Sequence, residues 1–156
     1  MSRTLAEWLA YQERVNVHSI ELGLDRVREV WRRMGSPRPA PRVVTVAGTN
    51  GKGSTVALLE AMFTAAGMRV GAFTSPHLLI YNERIRIDGT MIPEGNVVQF
   101  VNDNRAIIDQ VKPSFFEITV AMAFDHFARE RTDIAVIAVG LGGRLDSTNI
   151  ITPGLS

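Results

Sequence analysis

Apolar and polar residues alternate along the chain with two different periods, which together predict its secondary structure. Apolar side chains recur every three or four residues in five stretches, which predict helices over roughly 4–14, 24–34, 52–66, 93–110 and 115–129. Three short apolar runs between these helices predict buried strands over 42–47, 68–73 and 133–139. Helices that alternate with apolar strands predict an α/β domain in three layers, with a mostly parallel sheet.

A second pattern predicts a small hairpin and a boundary. Arg84-Ile85-Arg86-Ile87 alternates strictly and ends at the turn pair Asp88-Gly89, with Met91-Ile92 as the second arm. Upstream of the first strand, three prolines within 35–41 predict an extended linker. We therefore predict a helical segment and linker over 1–41 and a sheet-containing domain over 42–156.

Composition excludes several classes of function. The chain has 156 residues, of which 46% are hydrophobic and 21% charged, and a net charge of +1 gives no reason to expect nucleic acid or membrane as a partner. It has no cysteine, which excludes disulfides, thiolate zinc sites and cysteine nucleophiles. The N-terminus lacks the apolar run of a signal peptide, and the longest apolar stretch, 134–139, is too short to span a bilayer. We expect a soluble, cytoplasmic protein.

The most informative segment is the glycine-rich turn that follows the first predicted strand. Its glycines let backbone N–H groups point at an anion, Lys52 adds a positive charge, and Ser54 or Thr55 can offer a hydroxyl to a magnesium ion. The next helix turns the positive end of its dipole to the same place. We interpret the turn as a P-loop-type polyphosphate site for ATP and Mg²⁺. The expected binding residues are Gly48, Thr49, Asn50, Gly51, Lys52, Gly53, Ser54 and Thr55.

The usual pattern G-x-x-x-x-G-K-[ST] is not met literally. Counting back from Gly51-Lys52 puts Val46 at the first glycine position, and Gly53 separates Lys52 from Ser54. The interpretation therefore depends on the strand–loop–helix context. The alternative is a glycine-rich turn with an exposed lysine.

Two further polar loops follow predicted strands, at the edge where open α/β sheets bind ligands. In Thr74-Ser75-Pro76-His77, Ser75 can contact a metal or a phosphate, and the alternative is a plain turn. His77 is a candidate ligand or an exposed histidine without a role. The loop 140–149 brings Arg144 and Asp146 to the same edge, and its alternative is a disordered glycine loop. Asn82-Glu83-Arg84 begins the hairpin and is typical of a solvated strand end.

Together these segments resemble the folylpolyglutamate synthase/dihydrofolate synthase family, a branch of the Mur ligase superfamily. The matching segments occur in the family's order and are Val46–Ser54, Thr74–Leu78, Asn82–Ile85, Phe116-Glu117 and Val139–Asp146. The resemblance implies an ATP-dependent ligase. In such an enzyme ATP phosphorylates a carboxylate of folate or dihydropteroate, and the amine of glutamate attacks the acyl phosphate and releases phosphate.

The resemblance also implies roles for individual residues. Lys52 contacts the phosphates as the catalytic residue, and the magnesium sites use Ser54 or Thr55 together with Ser75. Glu117 is a substitute metal ligand. The implied substrate-binding residues are Ser75, Pro76, His77, Asn82, Arg84, Arg144 and Asp146.

Two departures from the family weaken the inference to activity. Ala138 stands where family members typically carry a glutamate that binds magnesium, and a methyl group cannot coordinate a hard cation. The chain also ends at Ser156, before the family's further metal-binding histidine, modified lysine and C-terminal domain. We therefore expect an N-terminal fragment with an incomplete sheet, which self-associates and is inactive alone.

Two alternatives remain at this stage. The first is a catalytically inactive nucleotide-binding or scaffold module. The second is a P-loop NTPase that couples hydrolysis to motion, although the strand 134–139 ends in no acidic residue.

Overall fold

The structure is a computed structural model that describes residues 4–16, 23–140 and 146–151. In these ranges the helices are α1 (Leu5–Asn16), α2 (Asp25–Arg33), α3 (Lys52–Ala65), α4 (Glu94–Asp103), α5 (Arg105–Val111) and α6 (Phe115–Arg129). The strands are β1 (Arg42–Val46), β2 (Val70–Phe73), β3 (Ile85–Ile87), β4 (Thr90–Met91) and β5 (Ile134–Ala138). Short 3₁₀ turns cover Tyr81–Arg84 and Ser147–Ile150.

The five strands form one mixed sheet in the order β1-β5-β2-β3-β4. β5 lies between β1 and β2 and is parallel to both, with Val46 opposite Ala138 and Ala72 opposite Val136. β3 and β4 continue the sheet in antiparallel fashion and form the predicted hairpin. The predicted α/β fold class with a mostly parallel sheet is therefore confirmed.

Helices cover both faces of this sheet. α3 covers one face, where Val56 packs among the strand residues Val44, Ala72 and Ala138. The remaining helices gather over the other face in a larger apolar cluster, which includes Phe127 of α6. Strands buried on both faces need continuous apolar runs, and this is why β5 reads Ile-Ala-Val-Ile-Ala.

Close packing of α6 on the sheet requires a glycine in β2. A Cβ added at Gly71 would lie 2.7 Å from two ring carbons of Phe127. No real Cβ makes a contact this short, so the ring occupies the space that any side chain here would need.

One predicted helix was wrong in extent. The pattern predicted a single helix over 93–110, whereas the structure divides it into α4 and α5 at Asn104. The Asn104 side chain donates to the Phe100 carbonyl at 2.9 Å. Such a side-chain bond competes with the helical ladder and accompanies the break.

The described residues before β1, 4–16 and 23–41, contribute to the same core as the sheet. Trp8 and Val30 are buried in the apolar cluster that contains Val43. The division of the chain at residue 41 stays a prediction. Over the described ranges, no helix is both long enough and apolar enough to cross a membrane.

Candidate nucleotide-binding site

The loops that follow β1, β5 and β2 meet at one edge of the sheet. These strands are adjacent and parallel, so their carboxyl ends point the same way. The loop after β1 begins at Ala47, the loop after β2 at Thr74, and the loop after β5 at Val139. Open α/β sheets bind ligands at this edge, so the topology brings together the three segments that the sequence singled out.

The turn after β1 has unpaired backbone donors. Gly51, with φ at +77°, is in the left-handed conformation that glycine adopts without strain, and it precedes the first turn of α3. Among the residues that the structure describes, no acceptor pairs with the backbone N–H groups of 48–54. Residues 47–51 are exposed. An exposed loop whose amides are free at a helix N-terminus is suited to bind an anion.

Lys52 lies over this turn. Its Nζ donates to the Gly48 carbonyl at 2.6 Å, so the side chain folds back across the loop. A lysine in this position adds its charge to the field of the helix N-terminus at the place where the amides are free. The structure thus combines three features that favour phosphate at one point.

The two hydroxyls at the start of α3 differ. Thr55 Oγ1 donates to the Gly51 carbonyl at 2.8 Å and so completes the first helical turn. Ser54 is exposed, and in the described part of the chain its hydroxyl bonds to no other group. The sequence could not separate these two residues as metal ligands, whereas the geometry favours Ser54.

Carboxylates are scarce near this turn. Ala138 ends β5 opposite Val46, the last residue before the loop, and its methyl group is buried against α3. Over the described ranges, no cluster of three or more His, Cys, Asp or Glu side chains could hold a metal ion. A magnesium ion here would depend on a hydroxyl, water and the phosphates themselves, which Mg²⁺ accepts as ligands.

The segment after β2 is held by Glu83. Its carboxylate accepts the backbone N–H groups of Leu78, Leu79 and Ile80 at 2.8 to 2.9 Å. These three bonds lower the pKa of Glu83 below its usual value. The sequence interpreted Asn82-Glu83-Arg84 as the start of the hairpin strand, and this was wrong because the residues form a 3₁₀ turn that anchors the loop.

His77 and Arg84 form a compact pair in the same segment. Arg84 is buried, with 8% of its surface exposed, and its Nε donates to His77 Nδ1 at 2.9 Å. The guanidinium lies 5.2 Å from the centre of the Phe115 ring, and burial lowers the pKa of Arg84. His77 also meets Tyr81 edge-on. In the described chain no carboxylate pairs with Arg84, so this buried cation has no anionic partner.

Other predicted site residues are bound within the protein. Asn82 donates to the Ile92 carbonyl at 2.7 Å. Glu117 accepts the Ser114 N–H at 2.7 Å as the cap of α6 and pairs with Arg26 at 3.2 Å, so its metal role stays a prediction.

The loop after β5 is described only at its ends. Asp146 is buried and accepts the Thr148 N–H and hydroxyl, at 2.9 and 2.6 Å. A Cβ added at Gly140 would lie 2.6 Å from the Phe116 ring, so this end of the loop packs closely on α6. Arg144, His18, the rest of the glycine run 141–145 and residues 152–156 lie outside the described residues.

The sequence missed one polar pair below the site. Arg86 of β3 and Glu60 of α3 are joined at 2.9 Å and are largely buried. The available signal was the charged Arg86 between the apolar residues Ile85 and Ile87 of a strand that the alternation predicted.

Comparisons with known proteins extend these observations. No protein-family model matches the chain. The dihydrofolate synthase/folylpolyglutamate synthase of Haemophilus influenzae is 44% identical over 156 residues, which are 97% of this chain and 35% of the relative. The Escherichia coli protein of the same name is 43% identical over 147 residues, 94% of this chain and 35% of the relative.

Solved structures are also similar to the chain in fold. A bifunctional folylpolyglutamate synthase/dihydrofolate synthase with Mn, AMPPNP and L-glutamate bound has a TM-score of 0.90 at 44% identity, over 97% of this chain and 37% of that chain. Escherichia coli FolC in complex with DHPP and ADP has a TM-score of 0.92 at 41% identity, with the same coverage.

The sheet order and the glycine turn define the class, an α/β domain of P-loop type. Over the part of its relatives that it spans, the chain belongs to the folylpolyglutamate synthase/dihydrofolate synthase family, whose named members are enzymes. It spans about a third of their length.

Proposed function

We propose that this chain is the ATP-binding part of a ligase that joins glutamate to dihydropteroate or a folate through an acyl phosphate. The observation that carries the proposal is the exposed turn 47–51, whose free amides lie at the start of α3 beside the Lys52 ammonium group. The complexes of its relatives with AMPPNP, ADP and Mn support ATP and Mg²⁺ as the cofactors.

Phosphoryl transfer depends mainly on positioning and on charge stabilisation. The amides of 48–54 and the dipole of α3 hold the terminal phosphates in place. Lys52 exchanges the neutral Gly48 carbonyl for a phosphate oxygen, a change that needs only a small movement of its side chain. Ser54 offers its free hydroxyl to Mg²⁺, which supplies charge neutralisation when bound.

The substrate side of the proposed site is built around Arg84. A buried guanidinium without an anionic partner is suited to bind a carboxylate, and His77 and Phe115 fix its orientation. A carboxylate oxygen attacks the γ-phosphorus of ATP, the bond from that phosphorus to the bridging oxygen breaks, and ADP leaves with the bonding pair. The glutamate amine then attacks the acyl carbon of the acyl phosphate, phosphate leaves with the bonding pair, and the amine nitrogen gives up a proton to water. Further proposed members of this side are Ser75, Pro76, Asn82, Arg144 and Asp146.

A catalytically inactive nucleotide-binding module is the second candidate. The buried Ala138 methyl, at the position where the family resemblance implies a carboxylate, favours it. The two candidates share the nucleotide site and differ only in turnover.

Calorimetry with Mg²⁺–AMPPNP tests the shared site. Removing the Lys52 charge in Lys52→Met should weaken binding about tenfold or more, because a charge-assisted hydrogen bond contributes ~1.5–3 kcal/mol. The matched control is Lys112→Met, an exposed lysine at the end of α5 whose loss should leave affinity unchanged. Equal affinity of the Lys52 variant and the wild type would contradict the proposal.

A phosphate-release assay with ATP, dihydropteroate and glutamate separates the two candidates. Release that requires both substrates supports the ligase. Because the chain alone is expected to be inactive, the assay uses this chain joined to the remaining part of its Escherichia coli relative, and there nucleotide binding without release supports the inactive module.

A further inference from the structure

The guanidinium of Arg86, whose side chain is 19% exposed, connects the phosphate-binding helix to the loop after β2. Arg86 donates to Glu60 Oε2 through Nη2 at 2.9 Å and through Nε at 3.3 Å. Its Nη1 donates to the Glu83 carbonyl at 2.9 Å and to Thr74 Oγ1 at 3.2 Å. One rigid planar group therefore fixes three segments, α3, the end of β2 and the 3₁₀ turn.

Glu60 is in turn held on both oxygens. Its Oε2 accepts from Arg86, and its Oε1 accepts the backbone N–H of Gly89, in the hairpin turn, at 2.9 Å. The carboxylate lies on the helix that starts at Lys52, two turns into it, and is almost fully buried. Its orientation is therefore set relative to the start of α3 and cannot relax into solvent.

The groups that Arg86 holds lie at both ends of the Ser75 loop. Thr74 immediately precedes Ser75, and Glu83 binds the amides of 78–80 through its carboxylate while its carbonyl receives Arg86. A movement of Arg86 would shift both ends of the loop 75–80 relative to α3.

A contribution to stability does not by itself explain why the chain has the Arg86–Glu60 ion pair. Replacing a buried ion pair with apolar residues is often neutral or stabilising, whereas its directional bonds specify geometry. We propose that Arg86, oriented by Glu60, is a positioning residue that sets the distance between the Ser75 loop and the phosphate loop, and thereby the contribution of metal to nucleotide binding. This inference rests on the proposed function for its nucleotide readout.

The test compares Arg86→Met, Arg86→Lys and the wild-type chain by calorimetry with AMPPNP, with and without Mg²⁺. Arg86→Met should reduce the affinity gained from Mg²⁺ about tenfold, because the Ser75 loop would lose the group that fixes it relative to α3, and should leave metal-free binding within about twofold. Arg86→Lys restores a charge opposite Glu60 but lacks the planar fork. It should recover thermal stability without recovering the gain from Mg²⁺.

The matched control is Arg69→Met. Arg69 lies just before β2, at the far end of the strand from Ser75, and pairs with Glu130 at 2.7 Å. Its loss also removes an ion pair, and it should leave the gain from Mg²⁺ unchanged. If Arg86→Met does not fold, Thr74→Val removes only one of the four Arg86 bonds and should give a smaller loss in the same direction.

A second readout does not need nucleotide. Hydrogen exchange at the amides of 78–80 should accelerate about tenfold in Arg86→Met, because the Glu83 turn that binds them loses its anchor. Unchanged exchange, or an equal loss of affinity with and without Mg²⁺, would overturn the inference. If the wild-type chain binds no Mg²⁺–AMPPNP, the proposed function fails and the exchange result alone decides the inference.

Discussion

Ser54 and Thr55 provide a sharp test, because adjacent hydroxyls at the start of α3 should behave oppositely. Thr55→Val removes the 2.8 Å bond to the Gly51 carbonyl and leaves the Ser54 hydroxyl in place. A net hydrogen bond contributes ~0.5–1.5 kcal/mol, and ~1 kcal/mol shifts Tm by about 2–4 °C in a domain of 150 residues or more. We therefore expect a lower melting temperature, with the Mg²⁺ dependence of AMPPNP affinity unchanged.

Ser54→Ala should give the converse result. The serine hydroxyl has no partner in the described chain, and alanine is the better helix former, so melting temperature should hold or rise slightly. Losing one metal ligand should reduce the affinity gained from Mg²⁺ about tenfold, which corresponds to ~1.4 kcal/mol.

Melting curves and calorimetry with and without Mg²⁺ measure both effects on the same preparations. A metal effect in Thr55→Val together with none in Ser54→Ala would refute the assignment of the free hydroxyl to the metal.

Three further predictions concern the metal position, acid stability and association. In a full-length version, Ala138→Glu places a carboxylate at the end of β5 and should raise Mg²⁺ affinity in the nucleotide complex; unchanged Mg²⁺ dependence and turnover would reject the idea that Ala138 weakens a metal site. The pKa of Glu83 is lowered from 4.5 by backbone N–H groups, so its stabilising effect is present above that pH and is lost as the pH falls through the folded value. In Glu83→Gln, the protection of the amides of 78–80 from hydrogen exchange should therefore depend less on pH in the acid range. An unchanged pH dependence would show that the Glu83 carboxylate does not cause the loss of protection in acid. Self-association is expected because β1 is an edge strand in the described sheet and because Leu58 and Met62 on α3 are each 65% exposed; a monomer at every concentration in sedimentation would contradict it.

The sequence was sufficient to predict the helices and strands that are specified by the local pattern of apolar residues. β5 and α6 were predicted almost to the residue, because a short continuous apolar run and a longer stretch rich in apolar residues each have few alternative structures. The glycine turn was predicted because glycine, lysine and hydroxyl residues at that spacing have a direct physical interpretation. The parallel order of the strands then brought the three loops to one edge.

The remaining features depend on individual side-chain partners that the pattern of apolar and polar residues does not reveal. The sequence indicated no partner for Arg86, since nothing in the alternation distinguishes an arginine in water from one that meets Glu60, 26 residues away. His77 had no visible partner until the chain brought Arg84 to it. The break at Asn104 arose from one side-chain bond, which periodicity does not detect.

The central claim is that the backbone N–H groups of 48–54 bind the terminal phosphates of a nucleotide. An amide-resolved NMR titration of the labelled chain with Mg²⁺–AMPPNP measures this directly. We expect the largest saturable changes in amide chemical shift at residues 48–54, with smaller changes near Ser75. Saturable binding that leaves those amides unshifted and perturbs another surface would contradict it.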